Sequence, residues 1–118
     1  MRLLKDLFYL FYPKLCVACD EKLVENETTI CTNCRHDLPL TNFKDYKNNK
    51  ITEAFYGRVL IEKGYSLLFF RKKGISKKLI QDLKYKGNEE IGVFFGNWLG
   101  ELLKENNEFQ NVDYIIPV

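Results

Sequence analysis

Apolar positions at the front of the chain recur at helical spacing. Leu3, Leu4, Leu7, Phe8 and Phe11 fall on one face of an amphipathic helix within residues 1–15, and Pro13 ends it. Leu23, Val24 and Ile30 then alternate with polar residues, which predicts a small hairpin that brings Cys31 back beside Cys16, in a ribbon that ends near Leu38-Pro39-Leu40. Residues 41–52 are polar and read as a connector pinned by Phe43 and Tyr46. Two β-prone runs, 55–61 and 65–70, meet at Glu62-Lys63-Gly64 and predict a hairpin or two adjacent extended segments.

Downstream the period returns to that of a helix. Ser76 is the expected N-cap of a helix that buries Leu79, Ile80 and Leu83, turns Lys77, Lys78, Lys84 and Lys86 outward and closes at Gly87. Asn88 caps the next helix, whose apolar face is Ile91, Phe94, Phe95, Trp98, Leu99, Leu102 and Leu103. Gly92, Gly96 and Gly100 recur along it, as close packing against a neighbouring element would require. Residues 112–118 are mostly apolar and read as a strand. A helix leading into such a strand is half of an α/β unit, and its strand is normally buried in a parallel sheet. One strand cannot make a sheet, so the molecule reads as cut short or split, its remaining strands supplied elsewhere.

Chemistry concentrates in Cys16-Val17-Ala18-Cys19 and Cys31-Thr32-Asn33-Cys34, which hold all four cysteines. Two Cys-x-x-Cys turns offer four thiolates at the spacing of a tetrahedral zinc site, and a closed four-thiolate shell leaves no position for substrate, as in a structural site. Iron suits four thiolates as well. A disulfide framework is the competing reading; a thioredoxin-like redox motif needs a strand and helix that neither pair has. Lys14, Lys22 and Arg35 are candidates to offset the thiolate charge, and His36, the one histidine, is read as a neighbour of the full shell and not as a ligand. Because binding of a structural metal is folding free energy, chelation is expected to unfold the ribbon up to about Pro39 and to spare the helix from Asn88 to Glu105.

Composition adds bounds. The 118 residues are 46% apolar, enough for a packed core, and a net charge of +2 gives no overall commitment to nucleic acid. Charge is segregated, however: residues 71–86 are basic and the stretch from Asn88 onward is acidic. The leading apolar run superficially resembles a signal peptide, yet Lys5 and Asp6 interrupt it and no small-residue cleavage site follows. No apolar run is long enough to span a membrane, and the expected location is the cytoplasm. The leading helix is expected to pack on the metal module or the next domain, with membrane-surface binding as the lesser alternative.

In order, several motifs resemble the ComF family, bacterial proteins that join an N-terminal zinc ribbon to a phosphoribosyltransferase-like domain and are associated with DNA uptake in natural competence. They are Pro13-Lys14-Leu15-Cys16-Val17-Ala18-Cys19, Ile30-Cys31-Thr32-Asn33-Cys34 with Leu38-Pro39, Phe55-Tyr56-Gly57-Arg58-Val59, Leu83-Lys84-Tyr85-Lys86-Gly87 and Asp113-Tyr114-Ile115-Ile116-Pro117-Val118. The resemblance implies an α+β fold: an N-terminal four-cysteine zinc ribbon with its leading helix over residues 1–48, then over 49–118 the opening part (β-hairpin, two helices, one strand) of an α/β phosphoribosyltransferase-like domain. Phosphoribosyl pyrophosphate is bound in such domains by an acidic pair at a strand end and a Thr/Gly-rich loop at a helix N-terminus. Here the acidic pair Glu89-Glu90 starts a helix and is followed by Ile91, not by a threonine-rich loop. These 118 residues are therefore expected to lack transferase activity, and no catalytic residue is assigned.

Two functions follow. One is the front half of a ComF-like protein of DNA uptake, with a structural Zn2+ and a partner chain or further segment completing the transferase-like domain. The alternative is a free-standing zinc-ribbon module that binds single-stranded DNA, with Arg71, Lys72, Lys73, Lys77, Lys78, Lys84 and Lys86 on phosphates and Tyr85 as a stacking platform. The bland reading of that basic stretch is a solvated helix face.

Overall fold

The computed structural model describes residues 2–118, apart from the side chains of Arg2 and Tyr9; Met1, the first residue of the expected amphipathic stretch, lies outside them. Among the described residues five helices follow one another: α1 (Arg2–Phe11), α2 (Thr32–His36), α3 (Lys50–Ala54), α4 (Ile75–Tyr85) and α5 (Glu89–Asn106). Among the described residues there is no β-strand, only the isolated antiparallel bridges Leu15↔Lys22 and Leu40↔Leu68. This overturns the α+β expectation. The hairpin over 55–61 and 65–70, the ribbon hairpin after Leu23 and the strand at 112–118 are all absent from the described structure, and with them the opening of a phosphoribosyltransferase-like sheet. A β-prone run becomes a strand only when a neighbour satisfies its backbone groups. Residues 112–118 have no regular secondary structure and are exposed, with Ile115 at 91% exposure, and make no ladder.

The chain divides into two compact units. Met1–Pro39 and Phe70–Phe94 form the first. Its buried side chains are Cys16, Thr29, Ile30, Cys31, Cys34, Leu38, Ser76, Leu79 and Ile91. In α4 the cap is Gly74, at φ 116°, and Ser76 instead lies buried inside the first turn, its Oγ accepting from the Arg71 N–H at 3.1 Å. Leu79 is 2% exposed while Ile80 and Leu83 stay above a third, so the buried stripe of α4 is narrower than its apolar pattern. Gly87, at φ 64°, does close the helix, and the Asn88 N–H returns to the Asp82 carbonyl at 3.2 Å. Helix α1 forms as its spacing predicts, but among the described residues Leu3, Leu4, Leu7, Phe8, Leu10 and Phe11 are all more than half exposed, so this face is largely uncovered.

Leu40–Phe69 and Phe95–Val118 form the second unit. Its core is aromatic: Tyr46 is buried and sits 5.3 Å from the Tyr65 ring and 5.5 Å from the Phe109 ring, while Phe43 meets Tyr65 and Phe69 edge-on. Phe43 and Tyr46 thus anchor the 41–52 segment. That segment also ends in α3, a helix not anticipated, begun by a capping box. Asn49 Oδ1 accepts from the Ile51 and Thr52 N–H groups, and Thr52 Oγ1 accepts from the Asn49 N–H at 2.9 Å. The same Asn49 donates through Nδ2 to the Asp45 carbonyl at 3.0 Å and the Gly64 carbonyl at 2.7 Å. On α5, a Cβ at Gly92 would meet Leu83 at 3.3 Å, but Gly96 and Gly100 face open space, so close packing accounts for only one of the three.

Candidate metal centre

Each cysteine pair is shaped by its own backbone. In the first knuckle the Cys16 N–H donates to the Glu21 carbonyl at 2.8 Å and the Asp20 N–H to the Cys16 carbonyl at 2.9 Å, folding Cys16 and Cys19 onto one side. The turn needs a left-handed residue, supplied by Asp20 at φ 63°; short polar side chains tolerate that region better than others. In the second knuckle Cys31 caps α2, its Sγ accepting from the Cys34 N–H at 3.4 Å. The knuckles are then joined by the Val17 N–H to the Thr29 carbonyl at 3.1 Å and the Cys31 N–H to Cys16 Sγ at 3.3 Å.

The four sulfurs all lie within 4.8 Å of one another, and Cys19 and Cys31 approach to 3.7 Å. Zinc bonded to sulfur at about 2.3 Å in a tetrahedron requires sulfur–sulfur edges of about 3.8 Å, so the cluster already has the size of such a shell. All four are free thiols, and the 3.7 Å approach is far longer than the roughly 2.05 Å of a disulfide, which favours the metal reading over a disulfide framework. Cys16, Cys31 and Cys34 are buried and Cys19 is exposed. The four cysteines are positioned to bind a metal ion.

Without an ion the cluster is electrostatically uneven. Burial alone would raise the Cys16 pKa, but N–H donors from Cys31, Cys19 and Ala18 outweigh it and bring it down to about 7. Cys34 is pushed well above the ordinary thiol value, chiefly by burial, then by hydrogen bonds shared with Cys31, Cys19 and Cys16 and by the charge on Cys16. Cys19 also rises, although the Glu21 N–H opposes it, because some desolvation and the sulfurs of Cys16 and Cys31 prevail. Thiolates crowded together disfavour one another, and a divalent cation inverts that balance.

Two supporting residues escaped the sequence reading. Glu27 accepts from the Val24 N–H at 2.9 Å, the Thr32 N–H at 2.6 Å and the Thr32 hydroxyl at 3.0 Å, tying the inter-knuckle loop to the start of α2. Lys78, expected to point outward, instead reaches the first knuckle, where Nζ donates to the Ala18 carbonyl at 3.1 Å and to Asp20 Oδ2 at 2.9 Å. His36 is exposed at the end of α2 and is not one of the clustered ligands.

Of the residues expected to meet DNA, Arg71, Lys72 and Lys73 lie exposed in the loop before α4, Lys77 and Lys84 are exposed on one face of α4, and Tyr85 is 82% exposed at its end. Lys86 pairs with Asp82 at 3.4 Å, one helical turn back. Among the described residues, no helix is long and apolar enough to cross a membrane.

Residues 7–43 match the family described as the double zinc ribbon domain, a stretch that contains all four cysteines and covers less than half of the chain. No curated protein and no solved structure matches the chain. The N-terminal region is thus similar to double zinc ribbon domains, and it carries one four-cysteine set positioned for a metal ion.

Proposed function

We propose that the two knuckles hold a structural zinc ion in a closed four-thiolate shell, and that the chain acts as the metal-bearing front portion of a ComF-like protein serving DNA uptake. The observation that carries the zinc reading is the convergence of four sulfurs within 4.8 Å at the end of two short turns. A shell filled by protein ligands has no open site, so its contribution is to folding and to presenting the surrounding surface. The ComF part is supported by the order of the matching motifs, among them Leu83-Lys84-Tyr85-Lys86-Gly87, which closes α4. Metal analysis of the purified chain should find one zinc per four thiols, lost in Cys34→Ser. Strong visible absorption from the isolated protein would indicate iron, because zinc is d10 and its thiolate site is colourless. Absence of both metals at full cysteine reduction would refute the reading.

A second reading is favoured by the exposed cations Arg71, Lys72 and Lys73 before α4, Lys77 and Lys84 on it, and the uncovered Tyr85 ring at its end: this surface binds single-stranded DNA. Binding should weaken steeply with added salt, and Lys77→Glu with Lys84→Glu should abolish most of it. Affinity indifferent to both salt and the charge reversals would remove this face from consideration.

A further inference from the structure

Lys78 differs from its basic neighbours in being committed to the knuckle. Its two acceptors, the Ala18 carbonyl and the Asp20 carboxylate, immediately flank Cys19, the exposed member of the sulfur cluster. Asp20 adopts the left-handed turn directly after Cys19, so the knuckle carries a carboxylate one residue from the four-sulfur cluster. We propose that Lys78 is a positioning residue of the metal centre: it fastens the first knuckle to α4 and offsets the charge of Asp20 and the thiolates, so that the ion binds more tightly and leaves more slowly.

The inference rests on the metal reading above. Four thiolates around a divalent ion leave the shell with excess negative charge, which neighbouring donors and cations must offset. An ammonium at hydrogen-bond distance from both residues bracketing Cys19 is placed to do so. The Lys78 pKa is raised, first by the hydrogen bond to Asp20 and, against some desolvation, by the charges of Asp20, Asp82 and Cys16; this ammonium faces several anions at once. As an isolated ion pair it would contribute little, because its side chains are 35% and 72% exposed. Its effect falls instead on the ion, since removing the cation leaves Asp20 unopposed beside the cluster.

Zinc affinity and release rate, measured on the full chain by competition with a colorimetric chelator, test this directly. Lys78→Met should weaken zinc binding about tenfold or more and speed release, the scale usual for groups that support metal ligands from outside the shell. Lys78→Arg should restore most of the loss. Adding Asp20→Asn to Lys78→Met should recover part of it, because the amide keeps the left-handed turn and removes the orphaned carboxylate. The cobalt(II)-substituted protein gives a second readout, its thiolate charge-transfer bands shifting in Lys78→Met and returning in Lys78→Arg. Wild-type affinity and release in Lys78→Met would overturn the proposal while leaving the metal reading intact. Lys78→Arg as weak as Lys78→Met, with no recovery in the double variant, would overturn the electrostatic role. A wild-type chain that takes up neither zinc nor cobalt would overturn both readings together.

Discussion

The two units solve the same problem of burial in different ways. In the first, the centre is four thiols whose mutual proximity is unfavourable until an ion arrives, and the surrounding apolar side chains, Ile30, Leu38, Leu79 and Ile91, are few. In the second, one amide side chain and a chain of aromatic rings around Tyr46 fill and satisfy the interior. A small unit with a thin apolar core depends on whatever else draws its chain together, and for the first, under the proposed function, that is a metal ion on the four cysteines.

The largest expected effect follows from that contrast. Chelation, or Cys34→Ser, should remove folding free energy on the order of 10 kcal/mol from the first unit and leave the second ordered. Hydrogen exchange locates it: protection should vanish at the Val17, Asp20 and Arg35 amides and persist at Gly64, Thr41 and Phe55. The loss should also reach α4 and the start of α5, because Lys78 is bound to the knuckle and the Thr29 hydroxyl donates to Glu90 at 3.0 Å. From sequence alone the helix after Asn88 is expected to stand apart from the ribbon; these links change that. Equal loss of protection in both units would erase the distinction.

Asn49→Ala strikes the other unit. It removes a helix cap and strands two carbonyls, and should cost about 2–4 kcal/mol, with zinc affinity unchanged. A drop in zinc affinity would mean that the units are not separable. Gly64→Ala should cost about 1–3 kcal/mol, since the new Cβ would lie 2.8 Å from Ile51 Cγ2 and the side chain must shift. Thermal unfolding followed by Tyr fluorescence would report both, and a neutral Gly64→Ala would mean that Ile51 yields freely.

The smallest effect is a matter of pH. Asp45 lies below the ordinary carboxylate range, first through the Lys47 N–H and then through the Asn48 N–H. A depressed folded pKa stabilises above the ordinary value, and that stabilisation disappears as pH falls through the folded one. Asp45→Asn should therefore flatten the acid limb of the second unit's stability curve slightly, and an unaltered limb would show that the turn does not depend on the charge.

The convergence of the four cysteines was legible because its information is local: Cys-x-x-Cys turns declare themselves within four positions. Helices α1, α4 and α5 were legible for the same reason, each being long enough to show its period. The five-residue helices α2 and α3 are too short for that, and only Asn49 with Thr52 three positions on marked the second of them. Strands were misjudged because pairing is not local: the runs at 55–61 and 112–118 have the composition of strands but, in the described structure, no ladder to join. Lys78 was misplaced for a related reason. Its acceptors lie 58 and 60 residues away, and on its own helix it is one more outward lysine.

Asn49 also makes the second unit sensitive to one chemical change. Its Nδ2 faces the Asp45 and Gly64 carbonyls, two acceptors that want a donor. Deamidation would exchange that nitrogen for a carboxylate oxygen and turn both contacts repulsive, while the cap made by Oδ1 would survive. Ageing at this one side chain would thus loosen the connection between α3 and the Gly64 turn without touching a cysteine, and a mass increase of about one dalton would mark the molecules in which it had happened.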